Sequence, residues 1–341
     1  MRPVTSFALI GFGWRGATIR RVSTLTGGPR CVGAVTRRPR PLPVPAFGSL
    51  AACLAGARPD FVVTAVPRAA NPAVVTEAVA LGVPVLAETP PAPDVTGLRE
   101  LWAAIGGSGL VQVAEQYLLM PTHAARLAAV RRGLIGTPTQ VQVSSTHQYH
   151  AVSLIRGLLG AGHEPAVVRA TRTVAPLVDP QTRAGWTDDP AAHPATTTIA
   201  TVDFGHGRSG LYDFTDNQSR NQLRFRRILV RGTHGELRDD EIVRLAAART
   251  ITRSRLVRTG PDLITHAGDV LFRSPFPGRR LNDDEVATAT MLHAMGAWVA
   301  GDGPPPYPLA EGAQDHRIAL AVEQAADTGA TVTTTPEPWH A

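Results

Sequence analysis

The sequence predicts an α/β protein, with an N-terminal Rossmann dinucleotide-binding domain over 1–121 and a C-terminal α/β domain over 122–341 whose open sheet is predominantly antiparallel. Three observations carry this reading. GFGWRG at 11–16 fits G-x-G-x-x-G and directly follows an apolar run. The first third alternates short apolar runs with helical segments, the pattern of a parallel sheet with crossover helices. After Pro121, longer runs alternate polar and apolar residues, as antiparallel strands covered on one face do. A chain of 341 residues is long enough for two such cores.

Each element has a local cause. SFALI (6–10) is a strand, Gly11 to Gly16 a turn, and a helix follows to about Leu25. RCVGAV (30–35) is the second strand. The prolines of RPRPLPVPAFGSL leave little room for a helix, so an extended connection is expected there. Ser49 caps AACLAGA. FVVTAV (61–66) ends at Pro67, and PAVVTEAVALG (72–82) is a helix stopped by Gly82. VPVLAE (83–88), the helix VTGLRELWAAIG and LVQVAEQY (110–117) complete the first domain. HAARLAAVRRGLIG (123–136) reads as a connecting helix ended by Gly136. Strands are then expected at 139–146, 197–204, 210–216, 225–232 and 241–247. Helices at 283–301 and 310–329 close the chain on one face of that sheet.

Composition narrows the function. Hydrophobic residues make up 43% and charged ones 18%, as in an ordinary globular protein. The opening residues read as strand and turn rather than as a secretory leader, and no run of about 18 apolar residues is present to span a membrane. The expected location is cytoplasmic. The net charge of +6 is spread among acids without an aromatic-interleaved basic stripe, so no nucleic acid partner is expected. All 34 basic residues are arginine. No step can therefore use a lysine as acid, base or Schiff-base former. Cys31 and Cys53 lack any ligand spacing and read as small buried hydrophobes. No metal site is expected, and His163, His193 and His206 fall in loop-like sequence without paired carboxylates.

The glycine turn is where the chemistry begins. A strand, a glycine turn and a helix N-terminus together present backbone N–H groups and a helix dipole to a pyrophosphate. Gly11 permits the tight turn, Gly13 lets phosphate approach, and Gly16 lets the helix pack on the sheet, with Phe12, Trp14 and Arg15 between them. The second strand runs into Thr36, Arg37 and Arg38. An NAD site usually places a carboxylate there for the ribose 2′-hydroxyl; a hydroxyl and two guanidinium groups suit a 2′-phosphate instead. NADP is the expected cofactor, with NAD as the alternative.

These residues resemble the glucose–fructose oxidoreductase/inositol dehydrogenase (Gfo/Idh/MocA) family over nearly the whole chain. TAVPRAAN (64–71) looks like the family's stretch beneath the cofactor, which brings in Ala65, Val66, Pro67 and Asn71. AETPP (87–91) is similar to its E-K-P signature. RRGLIGTPTQV (131–141) resembles its strand entry, and HAVSLIRGLLG (150–160) its H-x-x-D-x-x-R-x-L-L-G helix. RGTHGEL (231–237) and AVEQAADTG (321–329) fit its last strands and helix. The resemblance implies hydride chemistry between a Rossmann domain and a C-terminal domain whose sheet often joins subunits, so a homodimer or homotetramer is expected. The departures are as informative. The signature lysine is Thr89, the family's histidine near the fourth strand is Asn71, and the aspartates around the catalytic histidine are Thr146 and Ser153.

Reducing a carbonyl or imine needs one proton donor of suitable pKa near the acceptor atom. His150, at the family's histidine position, is the leading candidate. Tyr117 and Tyr149 come second. Strand ends border the crevice of such sheets, which places Gln116 with Tyr117. Glu88 and Thr89 are expected to shape the nicotinamide pocket. His147 and Tyr149 fall on opposite faces if the chain is extended there. The expected activity is NADP-dependent hydride transfer with a small polar, sugar-like carbonyl, alcohol or imine. The alternatives are a redox-neutral epimerase, lyase or glycoside-cleaving enzyme with bound NAD(P), or a non-catalytic NADP-binding sensor or subunit.

Overall fold

A computed structural model of the protein describes residues 4–37, 41–182 and 185–340. In chain order it begins β1 (Ser6–Ile10), α1 (Trp14–Thr26), β2 (Arg30–Val35), β3 (Ala46–Phe47) and α2 (Leu50–Ala57). Then come β4 (Phe61–Thr64), α3 (Asn71–Ala80), β5 (Val85–Ala87), α4 (Val95–Ile105), β6 (Val111–Val113) and α5 (Pro121–Arg131). β7 (Pro138–Ser144), α6 (Gln148–Leu159) and β8 (Val167–Leu177) follow, with the short β9 (Gln181–Thr182) and β10 (Gly185–Trp186) after them. β11 (His193–Asp203), β12 (Ser209–Thr215), β13 (Arg227–Gly232), β14 (Gly235–Arg238), β15 (Glu241–Ala247) and β16 (Thr250–Arg255) form a long run of strands. β17 (Val257–Thr259), β18 (Leu263–His266), β19 (Asp269–Arg273), α7 (Asp283–Val299), α8 (Leu309–Thr328) and β20 (Val332–Thr333) end the chain.

Two compact units result, and neither is one continuous stretch. The first takes Met1–Pro121, Ser274–Gln314 and Pro338–Ala341; the second takes Thr122–Arg273 and Asp315–Glu337. α7 and the start of α8 thus group with the N-terminal residues.

The first unit is built on a six-stranded sheet in the order β3-β2-β1-β4-β5-β6, every pairing parallel. This is the doubly wound order whose strand direction of travel reverses between β1 and β4. A parallel sheet needs cover on both faces. Residues 41–45 form no helix between β2 and β3, as their prolines predict, so among the described residues that connection adds no crossover helix beside α1. α7 supplies the rest. Its Met291, Leu292 and Met295 pack with Ile19 of α1 against Phe7, Leu9, Phe61, Val63 and Leu86. That packing explains why a helix from late in the chain belongs here. The edge at β6 is covered by the segment at Tyr307–Pro308, whose Tyr307 carbonyl accepts from Val113 N at 2.8 Å. Trp339 returns to the unit beside Trp102, and its indole donates to Gln314 Oε1.

The second unit carries a nine-stranded sheet, β16-β15-β14-β13-β7-β12-β11-β8-β20, antiparallel throughout except for the β12–β7 pair. One face buries Val141, Val143, Ala200, Val202, Tyr212, Ile228, Val230 and Leu237. α6 lies close against it: a Cβ on Gly210 would meet Ile155 at 2.7 Å. The other face is open, with Ile199 46% exposed. Four expectations need adjusting. α5 ends at Arg131 because Gly133 and Gly136 both take positive φ. β8 was not expected. His193 opens β11 and pairs with Asp189 at 2.8 Å, so it does have a carboxylate. α6 begins at Gln148, so Tyr149 is helical; even an extended chain would put His147 and Tyr149, two residues apart, on one face, so their expected opposition fails on both counts. Among the described residues, no helix is long and apolar enough to cross a membrane.

Candidate active site

The glycine turn joins β1 to α1, and each glycine has a separate physical task. Gly11 has φ +93°, and a Cβ there would collide with the Ala65 carbonyl oxygen and come within 3.3 Å of Val66. Ala65 and Val66, at the end of β4, therefore sit directly against the turn. A Cβ on Gly16 would lie 2.7 Å from the Gly11 carbonyl. A Cβ on Gly13 would meet nothing within 4 Å, so packing does not demand a glycine there. Gly13 is also the N-cap of α1, and no side chain caps that helix. By contrast Ser49, Asp94 and Asn282 cap α2, α4 and α7 through their side chains. Open space above uncapped first-turn amides fits a phosphate.

Trp14 stands 78% exposed beside this turn. Arg37, just past β2, is exposed, and Thr36 donates its N–H to Phe47 O at 3.0 Å. Arg38 lies outside the described residues. Pro67 is exposed on the loop after β4.

Arg15 turns toward the end of β5 and the first turns of α7. Its Nε donates to Glu88 Oε2 at 3.3 Å, its Nη1 to Thr288 Oγ1 at 3.4 Å, and Nη1 lies 3.8 Å from Asp284 Oδ2. Gln116 Nε2 donates to the other oxygen of Asp284 at 3.0 Å. The turn, the end of β5, the end of β6 and the first turn of α7 are thus joined by side chains. Behind Glu88 lies a buried triangle. Thr64 Oγ1 donates to Asn71 Oδ1 at 2.7 Å, Asn71 Nδ2 donates to Glu88 O at 2.9 Å, and Glu88 N donates to Thr64 Oγ1 at 2.8 Å. Thr64 and Asn71 are buried, so Asn71 holds the Glu88 backbone from beneath. Glu88 Oε1 accepts from Thr89 N at 3.2 Å.

Of the proton-donor candidates, Tyr117 is in a 3-10 turn after Gln116, with its N–H donating to Glu115 Oε1. Tyr149 and His150 lie in the second unit, in the first turn of α6. There the His150 ring is 5.2 Å from His147 and 5.4 Å from Tyr149, and Tyr149 is 5.9 Å from His316. Ser153 Oγ donates back to the His150 carbonyl at 2.9 Å. Gln148 N donates to Tyr212 Oη at 3.1 Å, and burial pushes that phenol up to about 12, so it stays protonated. Arg156 anchors the other end of α6 through a buried ion pair to Asp315 at 2.6 Å and bonds to Gly162 O. Among the described residues no three metal-ligand side chains converge.

Sequence reasoning brought Gly11, Gly13, Gly16, Ala65, Val66, Asn71, Glu88 and Gln116 to one end of one sheet. It missed Thr64, Asp284 and Thr288. Thr64 had a signal, a lone polar residue ending the apolar strand FVVT. Asp284 and Thr288 had none beyond their place in a helix.

A doubly wound parallel sheet with an uncapped glycine turn at its switch point is a Rossmann-type architecture. Solved structures share it along nearly the full chain. An oxidoreductase from Agrobacterium radiobacter, in complex with NAD+, L-tartaric acid and magnesium, is 17% identical with a TM-score of 0.72, over 97% of this chain and 98% of that one. A myo-inositol dehydrogenase from Corynebacterium glutamicum is 17% identical with a TM-score of 0.67, over 98% and 100%. The WlbA dehydrogenase from Bordetella pertussis, in complex with NADH and UDP-GlcNAcA, is 19% identical with a TM-score of 0.67, over 98% of each chain. Comparison with protein-family models and with curated proteins finds no match.

Proposed function

We propose that the chain is a Gfo/Idh/MocA-type oxidoreductase that uses NADP, moving hydride between nicotinamide and a small polar carbonyl, alcohol or imine compound. The observation that carries this is Gly13, a glycine that packing does not require, at the open end of an uncapped helix on the sheet's switch point. The fold it shares with dehydrogenases supports the same reading. In two of those structures a nicotinamide dinucleotide accompanies a polar, hydroxyl-bearing molecule.

First-turn amides of α1 would hold the diphosphate, and Thr36, Arg37 and Arg38 the 2′-phosphate. Glu88 and Thr89 would border the nicotinamide, with Asn71 and Thr64 fixing the backbone that presents them. When bound, the cofactor supplies the hydride. The chain must supply one proton. With no lysine in the sequence, His150 is the proposed donor, and Tyr149 and Tyr117 are the reserve hydroxyls.

Titration with NADPH should enhance its fluorescence, and a panel of keto-sugars and imines should consume its near-ultraviolet absorbance. His150→Ala should lower that turnover at least about a hundredfold while leaving NADPH affinity unchanged. Conversion of substrate without cofactor consumption would instead select the redox-neutral reading. Binding with no conversion of any kind would select the sensor. Replacing Arg37 and Arg38 together by Ala should weaken NADP about tenfold or more and leave NAD nearly unchanged; equal losses overturn the phosphate assignment. We also propose self-association through the open face of the nine-stranded sheet, where Ile199 is exposed. Light scattering should show a dimer or tetramer that Ile199→Glu reduces to monomer.

A further inference from the structure

Within this proposed dinucleotide site, the amide of Gln116 is held in an orientation that leaves half of it unused. The side chain is 6% exposed. Its Nε2 donates to Asp284 Oδ1 at 3.0 Å, and only the NH2 end of an amide can face a carboxylate. Oε1 therefore points away from Asp284. It is buried and, among the described residues, accepts no hydrogen bond. A buried bare acceptor is costly unless something supplies a donor.

Arg15 offers the complementary half. Nε and Nη1 are engaged by Glu88, Thr288 and Asp284, while Nη2 has no acceptor among the described residues. Asp284 thus grips both side chains, one oxygen to each. Arg15 and Gln116 also line the same small cavity, about 10 Å³, which has Thr288 on its wall among apolar neighbours. A space of that size takes roughly one water-sized group and no aromatic ring.

We propose that Arg15 and Gln116 form the seat for the primary carboxamide of the nicotinamide ring. The amide NH2, a water-sized donor, enters the cavity and donates to Gln116 Oε1. The amide carbonyl accepts from Arg15 Nη2. Asp284 of α7 is the positioning residue that holds the pair in register. The proposal rests on the dinucleotide reading above and adds to it a means of selecting a carboxamide over other acyl groups on the ring.

Calorimetry on the full chain tests it with three ligands: NADP, its 3-acetylpyridine analogue and 2′-phospho-ADP-ribose. The analogue keeps the carbonyl but replaces NH2 by methyl, and the third ligand lacks the ring. Wild type should bind NADP about fivefold more tightly than the analogue, the worth of one neutral hydrogen bond. Gln116→Met should weaken NADP about fivefold and leave the analogue unchanged. Arg15→Met should weaken both alike, and neither variant should alter 2′-phospho-ADP-ribose. If wild type does not distinguish NADP from the analogue, or if Gln116→Met weakens both equally, the seat is overturned while binding of the ring-less ligand keeps the dinucleotide reading intact. If none of the three binds, both fall together. The wild-type comparison stands even if a variant melts early in a thermal scan.

Discussion

His123, in the first turn of α5, shows how one buried side chain sets a pH limit. Burial, and then the Arg126 guanidinium whose Nη1 lies 3.1 Å from its Nδ1, push it down to about 3. The unfolded chain takes up a proton near pH 6.5 that the folded one refuses until about pH 3. Stability is therefore full above pH 6.5 and falls as pH drops through that window, at up to about 1.4 kcal/mol per pH unit. Denaturant titrations of wild type and His123→Gln from pH 7 to about 4 should show a shallower slope for the variant. The glycines give a second residue-scale prediction. Gly13→Ala should melt like wild type, because its methyl enters only open space, yet lose the proposed dinucleotide binding. Gly11→Ala should lower stability by a few kcal/mol, about 2 or more, since its positive φ and the Ala65 carbonyl both oppose a side chain. The glycine turn itself was legible in the sequence because strand, turn and helix are consecutive. The Arg15 contacts were not: the residue is in the motif, but its partners Asp284 and Thr288 are placed by the packing of a distant helix.

At the scale of elements, α7 was readable as a helix and its surroundings were not. Asn282 and Glu285 form a capping box, which is a local signal. That its Met295 is fully buried against the parallel sheet depends on a face left thinly covered by the β2–β3 connection. Met295→Ala should destabilise the first unit by about 2–5 kcal/mol, read as a lower melting temperature that saturating NADP partly restores. α6 depends on the Arg156–Asp315 pair, with both side chains nearly inaccessible. Arg156→Met strands a buried carboxylate and should cost about 3–5 kcal/mol in chemical denaturation. β8 escaped sequence reading for a physical reason. Its first residues alternate between buried and exposed, but from Thr171 to Pro176 both faces are solvated, so the period-2 signal vanishes. β16 and β17 are short, carry arginines and are mostly exposed on both faces, so their pattern is weak for the same cause.

Across the whole molecule, the first unit closes its core only with residues from three separate parts of the chain. A fragment ending at Pro121 would carry all six strands of the parallel sheet but expose the Phe7, Leu9, Phe61 and Val63 surface that α7 covers. Such a fragment should bind a hydrophobic dye, lack a cooperative melt and show no affinity for NADP. Adding Ser274–Gln314 and the Pro338–His340 turn through short flexible linkers should abolish dye binding and restore the cooperative melt and the NADP affinity. The fold class was legible because periodicity and order in the sequence are conserved by any folding of the chain; the return of the late helices was not, because nothing local records which sheet they will meet.

That threading also imposes a timetable on biosynthesis. On the ribosome, the opening strands emerge well before the helix that must lie on them, and Trp339 follows later still. A nascent chain stopped before α7 therefore leaves the Phe7, Leu9, Phe61 and Val63 surface of the parallel sheet without its cover.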